Sequence, residues 1–214
     1  MVSNIKALNS KSKILAIGAE ATITLEQGNK ILKHRIKKSY RIKEIDEKLR
    51  SQRARKEASI LEKLSKLDFP APKVISEDGK SGKLEIEFLE GKKVRDILSK
   101  SNSIKLSAEI GKKIAVLHKN KIIHGDLTTS NMIFHNNEIY FIDFGLSFVS
   151  ERVEDMAVDL HLFRQALESK HCEIWEKAFD ACIKAYKAES KLSNEVIKRF
   201  KIVERRGRHK GKGS

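Results

Sequence analysis

The 214 residues carry 44 Lys+Arg against 29 Asp+Glu, a formal net charge of +15, and such an excess favours a polyanionic partner because each phosphate contact releases condensed counterions. Aromatic residues make up only 6%, which argues against a stacking platform for single strands and for phosphate contacts on a structured RNA or charge pairing with protein subunits. No long apolar run occurs, Met1 to Ser12 is too polar for a signal peptide, and Cys172 and Cys182 form neither a disulfide framework nor a metal pattern, so a cytoplasmic protein without a membrane span is expected.

In chain order, Lys13 to Ile17, Ala21 to Leu25 and Lys30 to Arg35 read as three short strands, the last two joined by the turn Gln27-Gly28-Asn29. Tyr40 to Lys66 has the period of a long helix, with Ile42, Ile45, Leu49, Ile60, Leu61 and Leu64 on a broad apolar stripe. Glu57 falls inside that stripe, and a buried carboxylate needs a partner. The alternative is a surface contact with Arg53, one turn earlier. Phe69-Pro70-Ala71-Pro72 stops the helix. Val74 to Glu77 and Lys83 to Leu89 follow as strands around the turn Asp78 to Gly82.

Beyond Leu89 the pattern turns helical. Val94 to Lys100 is short, and Ser107 to Asn120 carries Ile110, Ile114 and Leu117 on one face. Met132 to Phe134 and Ile139 to Ile142 read as a small hairpin. Three further helices are expected over Asp155 to Leu167, Glu173 to Ala188 and Asn194 to Val203. The remainder, 204–214, is too polar and glycine-rich to pack, and reads as a flexible basic tail.

The chemistry concentrates between Ile122 and Gly145. His124-Gly125-Asp126 with Asn131 five residues on, then Asp143-Phe144-Gly145, places Asp126, Asn131 and Asp143 on loops that follow or join short strands. Two such oxygen ligands suit a hard divalent ion such as Mg²⁺, and the third can orient a hydroxyl or water for attack on a phosphoryl group. Each residue alone could be an ordinary turn former. As a set they point to phosphoryl transfer.

These motifs resemble the catalytic and metal-binding loops of the protein-kinase superfamily. The resemblance implies an α+β, minimal two-lobed protein-kinase-like fold as one domain over 1–214. Its N-lobe, an antiparallel sheet plus one long helix, would span about 1–88, a hinge about 87–91, and a reduced, mostly helical C-lobe about 92–203. It implies Asp126 as the base or orienting carboxylate, Asn131 and Asp143 as metal ligands, Lys33 as the phosphate contact and Glu57 as its anchor. Ile17, Gly18, Ala19, Glu20, Ala21 and Leu25 stand where a kinase has its glycine-rich loop, here with the single glycine Gly18. Backbone groups of Glu87 and Leu89 stand where the adenine edge is read. ATP and Mg²⁺ are the implied cofactors. Asp159 is placed to bond the catalytic-loop backbone, or else is an ordinary acidic residue near a helix start. Gly125 and Thr128 depart from common protein kinases, which carry Arg and Lys there, and no long activation segment follows Gly145.

A narrower resemblance covers nearly the whole chain. Gly18-Ala19-Glu20-Ala21, Ile45-Asp46 with Leu49, Arg53 to Ala58, Glu90-Gly91, His124 to Asn131, Ile142 to Ser147, Val158-Asp159-Leu160 and Arg206-Gly207-Arg208 are similar to the minimal PRPK-like kinase/ATPase subunit of the KEOPS complex. That family implies an atypical Ser/Thr protein kinase and ATPase supporting threonylcarbamoyladenosine formation in tRNA. Its implied partners are a metalloprotein subunit, small accessory subunits, and tRNA through the basic surface and C-terminal tail. Two rivals stay open: a small-molecule phosphotransferase of aminoglycoside or choline type, and a non-catalytic RNA-binding scaffold.

Overall fold

A computed structural model describes residues 12–18, 21–38 and 42–210, without the side chains of 207–210. The chain is α+β and divides into two compact units. One holds the residues up to Leu67 together with Pro72–Leu89; the other holds Asp68–Ala71 and the residues from Glu90 onward.

The first unit is built on an antiparallel sheet of β1 (Lys13–Ile17), β2 (Ala21–Glu26), β3 (Lys30–Arg35), β4 (Val74–Asp78) and β5 (Lys83–Glu87), in the order β1-β2-β3-β5-β4. Gly28 and Asn29 take positive φ in the β2–β3 turn, which their residue types tolerate best. Strand β3 alternates, burying Ile31, Lys33 and Arg35 on one face. The helix α1 (Lys43–Lys66) buries Asp46, Ala54, Glu57, Ala58, Ile60, Leu61 and Leu64. Its expected start at Tyr40 lies outside the described residues. The expected apolar stripe is corrected at its N-terminal end, where Ile42 and Ile45 are 67% and 51% exposed. Asp46 takes the inward position instead, accepting from Lys38 N–H at 3.2 Å and from Arg50 Nε at 2.8 Å.

In the second unit, β6 (Lys92–Lys93), β8 (Met132–His135) and β9 (Glu138–Phe141) form one antiparallel sheet. The strands β7 (Ile122–Ile123) and β10 (Phe148–Val149) form another. Asn136 and Asn137, both at positive φ, make the two-residue β8–β9 turn. The helices are α2 (Val94–Ile97), α3 (Ser103–Lys119), α4 (Val153–Lys170), α5 (Trp175–Glu189) and α6 (Ser193–Lys210). Ile110, Ile114 and Leu117 of α3, Leu160, Phe163 and Leu167 of α4, and Cys182 and Tyr186 of α5 are fully buried. Gly111 lets α3 approach α5 closely, because a Cβ there would run into the Cys182 backbone carbonyl.

Asp68–Ala71 joins the second unit, although the sequence places it before the hinge. Phe69 packs edge-on against Phe141 at 5.6 Å between ring centroids, and the Pro70 carbonyl accepts from Phe141 N–H at 2.9 Å. The flexible tail is corrected for 204–210, which continue α6. Long-range charge pairs hold this extension: Glu204 meets Arg164 at 2.9 Å, and Arg206 meets Glu154 at 2.9 Å. Residues 211–214 lie outside the described ones. No helix among the described residues is long and apolar enough to cross a membrane.

Candidate active site

In the first unit, Lys33 and Arg35 point from one face of β3 toward α1. Lys33 Nζ donates to Glu57 Oε1 at 2.8 Å, and Arg35 Nη2 donates to Glu57 Oε2 at 2.7 Å. All three side chains are buried. Burying charge is tolerated only with such pairing, and the surface contact of Glu57 with Arg53 is not the arrangement found. Arg35 was not singled out from sequence, although its place two residues after Lys33 on a strand puts both on one face.

The other predicted nucleotide-binding residues of this unit are spread along its strands and turns. Ile17 ends β1 and is exposed, Gly18 donates its N–H to the Ala21 carbonyl at 2.9 Å, Ala21 is buried, and Leu25 pairs with Lys13 and Ile31 across β2. Ala19 and Glu20 lie outside the described residues. Glu87 donates its N–H to Lys73 O at 2.9 Å, and Leu89 is buried.

In the second unit, the loop after β7 carries His124, Gly125 and Asp126 and runs into a 3-10 turn, Thr129–Asn131. Asn131 Nδ2 donates to the Asp126 carbonyl at 3.0 Å and to Asp126 Oδ2 at 2.8 Å. With its amide nitrogen held on Asp126, Asn131 keeps its own Oδ1 as a hard oxygen donor. Asn131 O accepts from Ile142 N–H at 2.9 Å, tying this loop to the residue before Asp143. Asp143 adopts φ 61° and ψ 65°, a left-handed conformation uncommon outside glycine, and its Oδ1 accepts from Gly145 N–H at 3.4 Å.

His124 joins the two loops through its ring. Nδ1 accepts from Asp126 N–H at 3.3 Å, so the proton resides on Nε2, which donates to Ile142 O at 3.2 Å. The ring lies 4.7 Å from Phe144 between centroids, and burial pushes its pKa below the ordinary 6.5 against the pull of Asp159, Asp143 and Asp126. A neutral, single-tautomer imidazole is therefore built into the loop.

Asp159 of α4 supports the same loop from below. Its carboxylate accepts His124 N–H and Gly125 N–H, each at 2.8 Å, and meets His118 Nε2 at 3.3 Å. His118 Nδ1 in turn meets the Tyr186 hydroxyl at 3.0 Å. Burial pushes the Tyr186 pKa up to about 12, so this phenol stays protonated. Gly125 is required by its own backbone: φ is +79°, and a Cβ would sit 2.7 Å from Leu146 O. Thr129 Oγ1 contacts His171 Nε2 at 3.1 Å, fixing the far side of the turn. His118, Tyr186 and His171 left no motif in the sequence, since each acts through contacts across tens of residues.

Among the described residues no cluster of three or more His, Cys, Asp and Glu could hold a metal ion. The donor set of Asp143 and Asn131 still fits Mg²⁺, which binds through one or two carboxylates plus substrate phosphates rather than an all-protein cage. Its hard oxygens exclude a preference for soft metals.

A strand-borne lysine paired with a helix glutamate, followed by the Asp126–Asn131 loop and Asp143, defines a protein-kinase-like fold. Solved structures of Rio2 kinase from Chaetomium thermophilum share it. One is a complex with ADP/Mg²⁺ and phosphoaspartate, at TM-score 0.62 and 18% identity over 94% of this chain and 71% of that one. The RIO-domain profile matches residues 20–160, and the chain belongs to the RIO-domain family. It is 38% identical over 213 residues to the KEOPS complex subunit Bud32 of Pyrococcus abyssi, covering 92% of this chain and 96% of that protein. It is 41% identical over 193 residues to the "Probable serine/threonine-protein kinase BUD32 homolog" of Archaeoglobus fulgidus, covering 90% and 94%. In Methanocaldococcus jannaschii the match, at 33% identity, spans 97% of this chain but 40% of a "Probable bifunctional tRNA threonylcarbamoyladenosine biosynthesis protein".

Proposed function

We propose that the chain is an ATP- and Mg²⁺-dependent phosphotransferase of the atypical Ser/Thr kinase and ATPase type, serving threonylcarbamoyladenosine modification of tRNA in a KEOPS-type complex in the cytoplasm. The observation that carries this reading is the His124-centred cluster, in which Asn131 holds Asp126 at 2.8 Å and His124 links Asp126 to the residue before Asp143. In it Asp126 orients the attacking hydroxyl or water, and Asn131 and Asp143 hold the ion. A carboxylate is a weak base toward a neutral hydroxyl, so orientation is its main contribution, as a loose phosphoryl-transfer transition state requires. Mg²⁺, when bound, would supply charge neutralisation on the β- and γ-phosphate oxygens.

Lys33 contacts the α- and β-phosphates, and Glu57 anchors it. Ile17, Gly18, Ala19, Glu20, Ala21 and Leu25 cover the nucleotide. The N–H of Glu87 is already spent on Lys73, so at Glu87 adenine is read by the carbonyl, with Leu89 as the second backbone contact. The Bud32 relatives' names support the KEOPS assignment, with a metalloprotein and small accessory subunits as partners. The net charge of +15 supports tRNA as a further one.

The test is labelled ATP with Mg²⁺, following phosphate release and transfer to protein hydroxyls in the native chain, Asp126→Ala and Asp143→Ala. Turnover by the native chain and its loss in both folded variants is expected. Undiminished turnover by either variant would refute the assignment, and turnover only with an amino-alcohol or sugar would move it to small-molecule phosphotransfer.

A further inference from the structure

Glu57 is held by two cations rather than one, and they divide its carboxylate between them. Lys33 takes Oε1 at 2.8 Å and Arg35 takes Oε2 at 2.7 Å, with side-chain exposures of 8%, 5% and 2% for Lys33, Arg35 and Glu57. Arg35 is fixed from its own backbone as well, its N–H donating to Gly82 O at 3.1 Å. The backbone of Arg35 is therefore fixed by the sheet, and its guanidinium lies on the oxygen that Lys33 does not use.

We propose that Arg35 is a positioning residue for the phosphate-contacting lysine: it keeps Glu57 neutralised and in place, so that Lys33 can shift toward a nucleotide phosphate without stranding a buried carboxylate. The inference rests on the nucleotide-binding reading of Lys33. The physics is a competition for one ammonium group. A carboxylate that is buried beside a single cation holds it tightly, because separating them leaves uncompensated charge in a poorly solvated place. A permanently charged guanidinium on the second oxygen lowers that penalty, and its fixed fork keeps the geometry while Lys33 moves. Arg35 thus acts on affinity through Lys33, without touching the nucleotide.

This predicts a pattern that a purely structural arginine would not produce. Removing Arg35 leaves Lys33 as the only one of the two cations on Glu57, and Mg·ATP then has to compete with the carboxylate. Neutralising Glu57 in that background should release the lysine. Binding of Mg·ATP and Mg·ADP is measured by calorimetry on the full chain. Arg35→Met is expected to weaken binding about tenfold, with a smaller change in kcat than in KM. Arg35→Lys should recover most of that loss. The double variant Arg35→Met/Glu57→Gln should bind more tightly than Arg35→Met alone, since replacing both partners of a buried pair is less costly than stranding one.

Native-like binding by Arg35→Met, or a double variant that binds no better than Arg35→Met, would overturn the proposal. If Arg35→Met does not fold, Arg35→Gln, which also removes the second cation from Glu57, takes its place in the same comparison, and native-like binding by that variant overturns the proposal. A native chain that binds neither Mg·ATP nor Mg·ADP removes the nucleotide-binding reading itself; binding that Arg35 substitutions leave untouched removes only this inference.

Discussion

Asp159 accepts the backbone N–H of His124 at 2.8 Å across 35 residues of sequence. The same carboxylate takes Gly125 N–H on its other oxygen. One buried side chain on α4 therefore sets the backbone path of the two residues that precede Asp126.

Asp159→Asn keeps the shape but turns an amide N–H₂ toward one of those N–H donors, leaving a buried donor unmatched. A loss of roughly 2–3 kcal/mol in unfolding free energy is expected, together with a fall in ATP turnover. Urea denaturation and phosphate release check both, and native values for the two would show that the loop does not depend on this anchor.

Gly125→Ala should act on the same loop by a different route. The positive φ strains any side chain, and the added Cβ meets Leu146 O. The strain is worth about 1–3 kcal/mol, and displacement of Asp126 should lower kcat more than nucleotide affinity. A variant as stable and active as the native chain would contradict the geometry.

His124 links stability to pH. Burial depresses its pKa below 6.5 in the folded chain, so below 6.5 the unfolded chain binds more protons than the folded one. The stabilisation is present above pH 6.5 and is lost as pH falls from there through the depressed folded value. His161, His171 and His34 are shifted the same way, so the contribution is isolated by comparison with His124→Asn. The native chain should lose more thermal stability below pH 6.5 than this variant; parallel curves would count against a neutral His124.

Removing Arg205 to Ser214 should weaken tRNA binding more than basal phosphate release. It deletes Arg205, Arg206 and the basic end of α6, and the logarithmic salt dependence of RNA affinity should become shallower as phosphate contacts are lost. An unchanged slope would place the RNA contact elsewhere.

Much of this was readable residue by residue. The three opening strands, the proline stop after α1 and the hairpin before Asp143 follow from alternation and turn chemistry, which involve near neighbours. The fixed spacings of His124, Asp126, Asn131 and Asp143 carried the candidate chemistry for the same reason, since their loops are short and local. Asp159 was legible only as one of two readings, because its partners are 34 and 35 residues away.

What the amino-acid order determined alone is most of the elements and the short loops that aim their polar side chains. It did not determine the two-residue strands β6 and β10 or the first turn of α3, which starts at Ser103 rather than at Ser107. Tertiary structure decided which charges meet: Arg35 with Lys33 on Glu57, His118 between Asp159 and Tyr186, and Glu154 with Arg206, which carries α6 past the point where composition suggests it should end. It also decided that Asp46 rather than Ile45 turns inward on α1. Periodicity states which residues share a face, but which partner that face finds depends on the packing of distant segments, and no local pattern encodes that choice.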